Sequence, residues 1–139
     1  MSLTTFSGPV RSLNGFITGH QPTAANAINA TATATAAQVA DGYITSTSAA
    51  ATTITLPTGT ALGAALGATQ GTSFDLYIDN TAGANTVTIA VNTNAILSSA
   101  AADTAGSFGD LTVAAGATGI ARYTIMFSSA TAYVFTRTA

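Results

Sequence analysis

Hydrophobic and polar residues alternate in several short runs of this chain, and this alternation is typical of β-strands with one buried face. The clearest run is residues 73–79, in which Phe74, Leu76 and Ile78 occupy every second position. The predicted strands are residues 43–47, 52–56, 73–79, 86–91, 111–113, 120–127 and 132–138. Many short strands separated by glycine-rich turns predict a small, mostly β module.

Two hairpins are predicted from the spacing of these strands. Residues 80–85, reading NTAGAN, offer a glycine for a positive φ, so residues 86–91 are expected to return beside residues 73–79 with Val87, Ile89 and Val91 facing inward. A final hairpin is expected around residues 128–131.

The last strand is apolar on both sides, because Val134 lies between Tyr133 and Phe135. A strand of this kind is either central in a sheet or part of a contact between subunits.

One short helix is predicted between the second and third strands. Thr58 or Thr60 can cap its start, Leu62 and Leu66 lie four residues apart on one face, and Gly67 can end it. So short a helix needs packing to be stable. We therefore expect its leucines to close one open end of the β-core.

The first part of the chain has a different pattern. Residues 1–22 contain turn-forming glycines and prolines between isolated large apolar residues, which predicts an extended arm that buries these side chains against another surface. Residues 23–40 are rich in alanine and threonine, and the alternating TATATA run favours a loop or strand. The chain is thus divided into an N-terminal arm and Ala/Thr-rich segment, residues 1–41, and a β-domain, residues 42–139.

The expected fold class is mostly β, with one short helix and an extended N-terminal arm. The β-domain could close as a small antiparallel β-sandwich, as a jelly-roll-like module or as a barrel, because short strands with glycine-rich turns are compatible with all three. With 139 residues the chain has the length of one domain.

Charge is scarce: 6% of residues are charged, the net charge is -2, and the cations are Arg11, Arg122 and Arg137. Nucleic acid is therefore not an expected partner, because neutralising phosphates needs several cations on one face. No apolar stretch approaches the roughly 18 residues of a membrane span, and no signal-peptide core is visible. A soluble protein without a membrane partner is expected. The absence of cysteine excludes disulfides and thiolate metal sites.

Candidate chemistry is sparse as well. His20 is the single possible histidine base, but no GxSxG motif accompanies it, and without lysine or glutamate an enzyme is not expected. Asp75 and Asp79 lie on one face of a predicted strand, yet no calcium-loop spacing surrounds them, so neither a metal site nor a cofactor is predicted. Threonine runs at residues 31–35, 52–55 and 86–89 raise the idea of an ice-binding face. Their spacing is not constant, which favours an ordinary solvent-facing sheet.

Four segments together resemble a module common in tailed-phage virion proteins, especially capsid decoration (cement) proteins and related head or tail surface proteins. The segments read ITLPTGTALGAAL, GTSFDLYIDNTAGANTVTIAV, DLTVAAGATGIARYTIMF and AYVFTR. Shared features are TLP before a small helix, a G-x-S-F strand, N-T-x-G and T-V-T runs, and a V-A-A-G turn before the closing strands. The resemblance covers residues 42–139 and includes no catalytic residues.

The resemblance implies a structural virion protein that is made in the host cytoplasm, binds the outer surface of a phage capsid and stabilises it. It implies a homotrimer whose partner is the major capsid protein, with the N-terminal arm contacting neighbouring subunits or the shell. The proposed capsid contacts are Phe6, Val10, Leu13, Phe16 and Ile17. Tyr133 and Phe135 are the proposed contacts between subunits.

Another function class stays open from the sequence. A receptor-binding or adhesin module of a phage head or tail fibre would present residues 92–110 as an irregular surface excursion, with Phe108 as its one aromatic side chain. Binding to bare capsids would favour the decoration role, and binding to host cells would favour the adhesin.

Overall fold

The computed structural model describes residues 26–97 and 111–139, together with Ser7. Its elements in chain order are β1 (Ala32–Thr33), α1 (Ala36–Ala40), β2 (Tyr43–Thr45), β3 (Thr52–Thr55), α2 (Gly59–Leu66), β4 (Ser73–Asp79), β5 (Val87–Ala90), β6 (Ala95–Leu97), β7 (Thr112–Val113), β8 (Ile120–Ser129) and β9 (Ala132–Arg137). The predicted arm, residues 1–22, lies outside the described residues, apart from Ser7.

The strands form two sheets that share one hydrophobic core. One sheet has four strands in the order β1-β3-β5-β7, and the other has five in the order β2-β4-β8-β9-β6. The mostly β prediction is confirmed. The pairing, however, is mixed rather than wholly antiparallel, since β2 and β4 run parallel while β4 and β8 run antiparallel. Neither sheet closes on itself, so the barrel alternative does not apply.

Alternation along the strands builds the core as predicted. Leu76 and Ile78 of β4 are buried, and so are Val87 and Ile89 of β5 in the other sheet. The largest fully buried side chains are Tyr123, Tyr133, Phe127, Phe135, Ile44, Ile54, Leu56, Leu62, Leu76, Ile78, Ile89 and Ile125. Phe74 is half-buried against this cluster. The guanidinium of Arg137, on β9, also links the two sheets by donating to the carbonyl oxygen of Thr112, on β7, at 2.8 Å.

The predicted hairpin at residues 80–85 is wrong. β4 pairs with β2 and β8, whereas β5 pairs with β3 and β7 in the opposite sheet, so residues 80–85 carry the chain from one sheet to the other. The buried side chain of Asn80 stabilises this crossing, because it donates to the carbonyl of Asn85 at the end of the corner and to the carbonyls of Val113 and Ala114 at the end of β7. β5 ends at Ala90, and Val91 is 50% exposed rather than inward.

Residues 26–41 belong to the sandwich, so the predicted boundary after residue 41 does not separate them from the β-domain. β1 pairs in parallel with β3, and Ile28 and Val39 are buried in the common core. A second helix, α1, replaces the predicted loop or strand here. Thr35 and Gln38 form a capping box at its start, which satisfies two backbone N–H groups and lets so short a helix form.

The helix predicted after residue 57 is confirmed as α2. The hydroxyl of Thr58 accepts from the backbone N–H of Ala61 at 3.2 Å, and Gly67 ends the helix with a left-handed φ of 59°. Leu62 is buried and Leu66 is half-buried against the core. The helix packs against α1 and β9, and Gly63 lies directly over the turn between β8 and β9.

The closing hairpin is also confirmed. β8 and β9 pair antiparallel around residues 130–131, with Ile125 opposite Phe135. β9 lies between β8 and β6, so it is a central strand of the larger sheet.

Candidate interaction surfaces

Tyr133 and Phe135, the predicted subunit contacts, lie inside the core of their own chain. They are 0% and 1% exposed, so neither side chain can touch a second subunit, and that prediction is wrong. Tyr133 packs its ring against Phe127 at 5.5 Å and donates its hydroxyl to the carbonyl oxygen of Pro57 at 2.7 Å. Burial raises the pKa of Tyr133 well above its ordinary value near 10. The ring of Phe135 packs edge-on against Tyr123.

The outward side of β9 presents Val134 instead. Cross-strand register aligns Val134 with Met126 on β8 and with Ile96 on the edge strand β6. Met126 is 50% exposed and Ile96 is 57% exposed, while Val134 is half-buried between them. These three side chains form one line across the sheet, which we call the apolar row. Sequence alternation places Val134 on the opposite side of β9 from Tyr133, and only the strand order brings Ile96 next to it.

A second line of side chains crosses the same outer face nearer its other edge. Tyr43 on β2 is opposite Tyr77 on β4, and Tyr77 is opposite Arg122 on β8. Their neighbours along each strand are buried, so all three side chains face outward. Each tyrosine is 38% exposed. We call this line the tyrosine row.

Two carboxylates flank the tyrosine row. Asp79 accepts from the hydroxyl of Tyr43 at 2.5 Å and from the hydroxyl and backbone N–H of Thr81. Hydrogen bonds from Thr81, and then from Tyr43, lower the pKa of Asp79, and the same bond with Asp79 is the main cause that raises the pKa of Tyr43. On the other side of the row, Asp75 accepts from the hydroxyl of Thr124 at 2.7 Å.

Asp75 and Asp79 are the carboxylate pair that was considered for calcium. In the structure both accept hydrogen bonds from neighbouring side chains of the protein. Within residues 26–97 and 111–139, no group of three or more His, Cys, Asp or Glu side chains could hold a metal ion. In the same part of the chain, neither helix is long and apolar enough to cross a membrane.

The outer face of the smaller sheet is covered by threonine. β1, β3 and β5 are consecutive parallel strands, so the three threonine runs of the sequence lie side by side. Thr53, Thr88 and Thr112 form one line across β3, β5 and β7, and Thr33 stands opposite Thr55. This arrangement could not be predicted from the irregular spacing of the runs along the chain, because the arrangement depends on which strands pair.

Several residues considered from the sequence lie outside the described residues. They are the proposed capsid contacts Phe6, Val10, Leu13, Phe16 and Ile17, the histidine His20, which was not expected to be catalytic, and Phe108 of the adhesin alternative.

Comparison of the chain with models of protein families, with characterised proteins and with solved structures finds no match. Functional inference therefore depends on the chain's own surfaces and on the motifs that resemble virion proteins.

Proposed function

We propose that this protein is a structural component of a tailed-phage virion that binds the outer surface of the capsid and stabilises it. The observation that carries the proposal is the apolar row of Ile96, Val134 and Met126, which exposes apolar side chains on a sheet that already has a complete core on its other face. An exposed apolar line on a small protein is typical of a surface that contacts another protein.

The apolar row provides a contact between subunits, in place of the buried Tyr133 and Phe135. A stable interface buries roughly 800 Å² per partner, far more than three side chains can supply. Further contacts are therefore required, and the large apolar residues of the predicted arm, residues 1–22, are suited to provide them. We propose that the row joins copies into a homotrimer and that the arm binds the major capsid protein.

The composition of the chain agrees with such a role. An interface between copies of one chain repeats the same charges close together, and 6% charged residues keep that repulsion small. The threonine-covered outer face of the smaller sheet can stay in solvent, because its hydroxyls hydrogen-bond to water.

The test uses capsids of the encoding phage that have been assembled without this chain. Purified protein should bind them saturably and raise the temperature at which they disrupt. A variant lacking residues 1–22 should keep the circular dichroism spectrum of the β-module and lose capsid binding. Absence of saturable binding by the full chain would overturn the proposal, and binding to host cells instead would favour the receptor-binding alternative.

The subunit contact is tested separately by Met126→Lys, which places a charge in the middle of the apolar row. The matched control is Thr88→Lys, which places the same charge on the outer face of the other sheet. Sedimentation should give a trimer for the control and a smaller species for Met126→Lys. If both variants remain trimeric, the apolar row is not the subunit contact.

A further inference from the structure

We propose that the tyrosine row, Tyr43, Tyr77 and Arg122 with the flanking Asp75 and Asp79, is a binding site for a neutral saccharide. This inference goes beyond the capsid-binding role and does not depend on it, because the site lies within one chain.

The first argument is the geometry of the two rings. Tyr43 and Tyr77 are directly opposed on neighbouring parallel strands, which are about 4.8 Å apart. Both rings are exposed on the same face. Two exposed tyrosine side chains that are cross-strand neighbours offer more aromatic surface than a single ring. A pyranose ring has an apolar C–H face that can contact such side chains, with its hydroxyls around the edge.

The second argument is that hydrogen-bonding groups surround the rings. Asp79 accepts from the hydroxyl of Tyr43, which holds that ring in position before any ligand arrives. Asp75 lies two residues before Tyr77 on the same face of β4, and Arg122 is the cross-strand neighbour of Tyr77 on β8. Arg122 uses its Nε to donate to Thr138 at 3.0 Å. Saccharide hydroxyls both donate and accept, so they match a site that has carboxylate acceptors and a guanidinium donor.

The third argument is charge. The chain has eight charged residues (three arginine and five aspartate), and three of them lie on this one face. The site contains two carboxylates and one guanidinium, which gives it a net negative charge. A phosphorylated or carboxylated ligand would be repelled by this charge, whereas a neutral saccharide would not. The charges thus select among ligands that could stack on the tyrosines.

The affinity of one site should be low. The two tyrosines lie on an exposed sheet face, so one bound saccharide keeps much of its surface in water. A Kd of about a millimolar is the expected order. Copies held together in a virion would bind a polymeric glycan much more tightly, because each further contact is intramolecular.

The experiment titrates ¹⁵N-labelled full-length protein with maltohexaose, cellohexaose and chitohexaose, with hexagalacturonate as the anionic comparison. At least one neutral hexasaccharide should shift the amide signals of residues 43, 77 and 122 saturably, and hexagalacturonate should not. The wild-type protein alone therefore locates the site. Absence of saturable shifts with all three neutral sugars, or shifts centred on another face, would overturn the proposal.

Variants then test the roles of the side chains. Tyr77→Ala should weaken binding about tenfold or more, which corresponds to losing about 1.4 kcal/mol, and Arg122→Gln should weaken it less. Thr88→Ala, on the outer face of the other sheet, is the matched control and should bind as the wild type does. Unchanged affinity in Tyr77→Ala would overturn the assignment. Because the site is assayed on isolated protein, failure of capsid binding leaves this result unaffected.

Discussion

The hydroxyl of Tyr133 donates a 2.7 Å hydrogen bond to the carbonyl oxygen of Pro57, 76 residues earlier in the chain. Both residues are buried. The bond joins β9 of the larger sheet to the residue that precedes the cap of α2, and the ring of Tyr133 packs against Phe127. A side chain expected at a subunit contact therefore holds the helix onto the core.

Tyr133→Phe should lower the free energy of unfolding by about 1–3 kcal/mol, because the Pro57 carbonyl loses its buried donor. Urea unfolding followed by circular dichroism measures the change. Tyr77→Phe is the matched control: its hydroxyl is on the exposed face, so the expected change is within about 0.5 kcal/mol. Equal effects of the two substitutions would contradict this role of Tyr133.

Alkaline pH should destabilise the wild-type protein through Tyr133. Burial raises the pKa of this phenol in the folded state, so above an ordinary pKa near 10 the unfolded chain releases the proton while the folded chain retains it. The contribution is fully present below about pH 10 and is lost as pH rises further, by up to about 1.4 kcal/mol per pH unit. Urea unfolding from about pH 8 to pH 11 tests this. Tyr133→Phe should show a shallower decline, and an equally steep decline would refute the assignment.

Asn80→Asp should be strongly destabilising. The buried amide nitrogen of Asn80 donates to the carbonyls of Asn85, Val113 and Ala114, at 2.9, 3.2 and 3.0 Å. A carboxylate there would lose these donors and face the carbonyl oxygens, at a cost of about 3 kcal/mol or more. Chemical denaturation at neutral pH measures the loss.

The control for this substitution is Asn29→Asp. The Oδ1 atom of Asn29 accepts from the backbone N–H of Thr47 at an exposed site, and a carboxylate can keep that bond. Its effect should stay within about 0.5 kcal/mol. The Asn80→Asp variant should also regain stability below about pH 4, where the introduced carboxyl can hold a proton in both states. Equal stability of the two variants would show that the corner does not depend on the amide.

Gly63→Ala should destabilise the protein although alanine favours helices by about 1 kcal/mol. An added Cβ would overlap the carbonyl oxygen of Ala130, so α2 would have to move away from the turn between β8 and β9. The expected loss is about 1–3 kcal/mol in the free energy of unfolding. Thr60→Ala, exposed in the same helix, should be neutral or slightly stabilising. A stabilised Gly63→Ala variant would mean that this contact is loose.

Substitution in the apolar row should affect assembly and leave the fold intact. Met126 is 50% exposed, so Met126→Lys should change the unfolding free energy of a monomer by no more than about 0.5 kcal/mol. At high protein concentration the wild type should gain stability from association and the variant should not. Thermal unfolding over a range of concentrations measures this. A wild-type melting temperature independent of concentration would argue against the row as a contact.

Local signals in the sequence predicted most of the elements. Alternation located β4 and β8 because a half-buried strand repeats every two residues, and a short run of apolar residues located β9. Thr58 and Gly67 marked the ends of α2 because caps act within one turn. The mostly β class followed from these signals. The capping box of Thr35 and Gln38 was also readable in the sequence, but the threonine alternation around it favoured an extended interpretation.

Partner choice among strands was decided only by the tertiary structure. Residues 80–85 have the composition of a hairpin turn, yet the chain crosses there into the opposite sheet, where the buried amide of Asn80 donates to the carbonyl of Val113. Local sequence patterns also do not specify which side chains meet on the outer surfaces of the sheets. Alternation shows that Val134 and Tyr133 point to opposite sides, but not which side is the core. The apolar row and the tyrosine row arise from register between strands far apart in sequence, which a local pattern cannot encode.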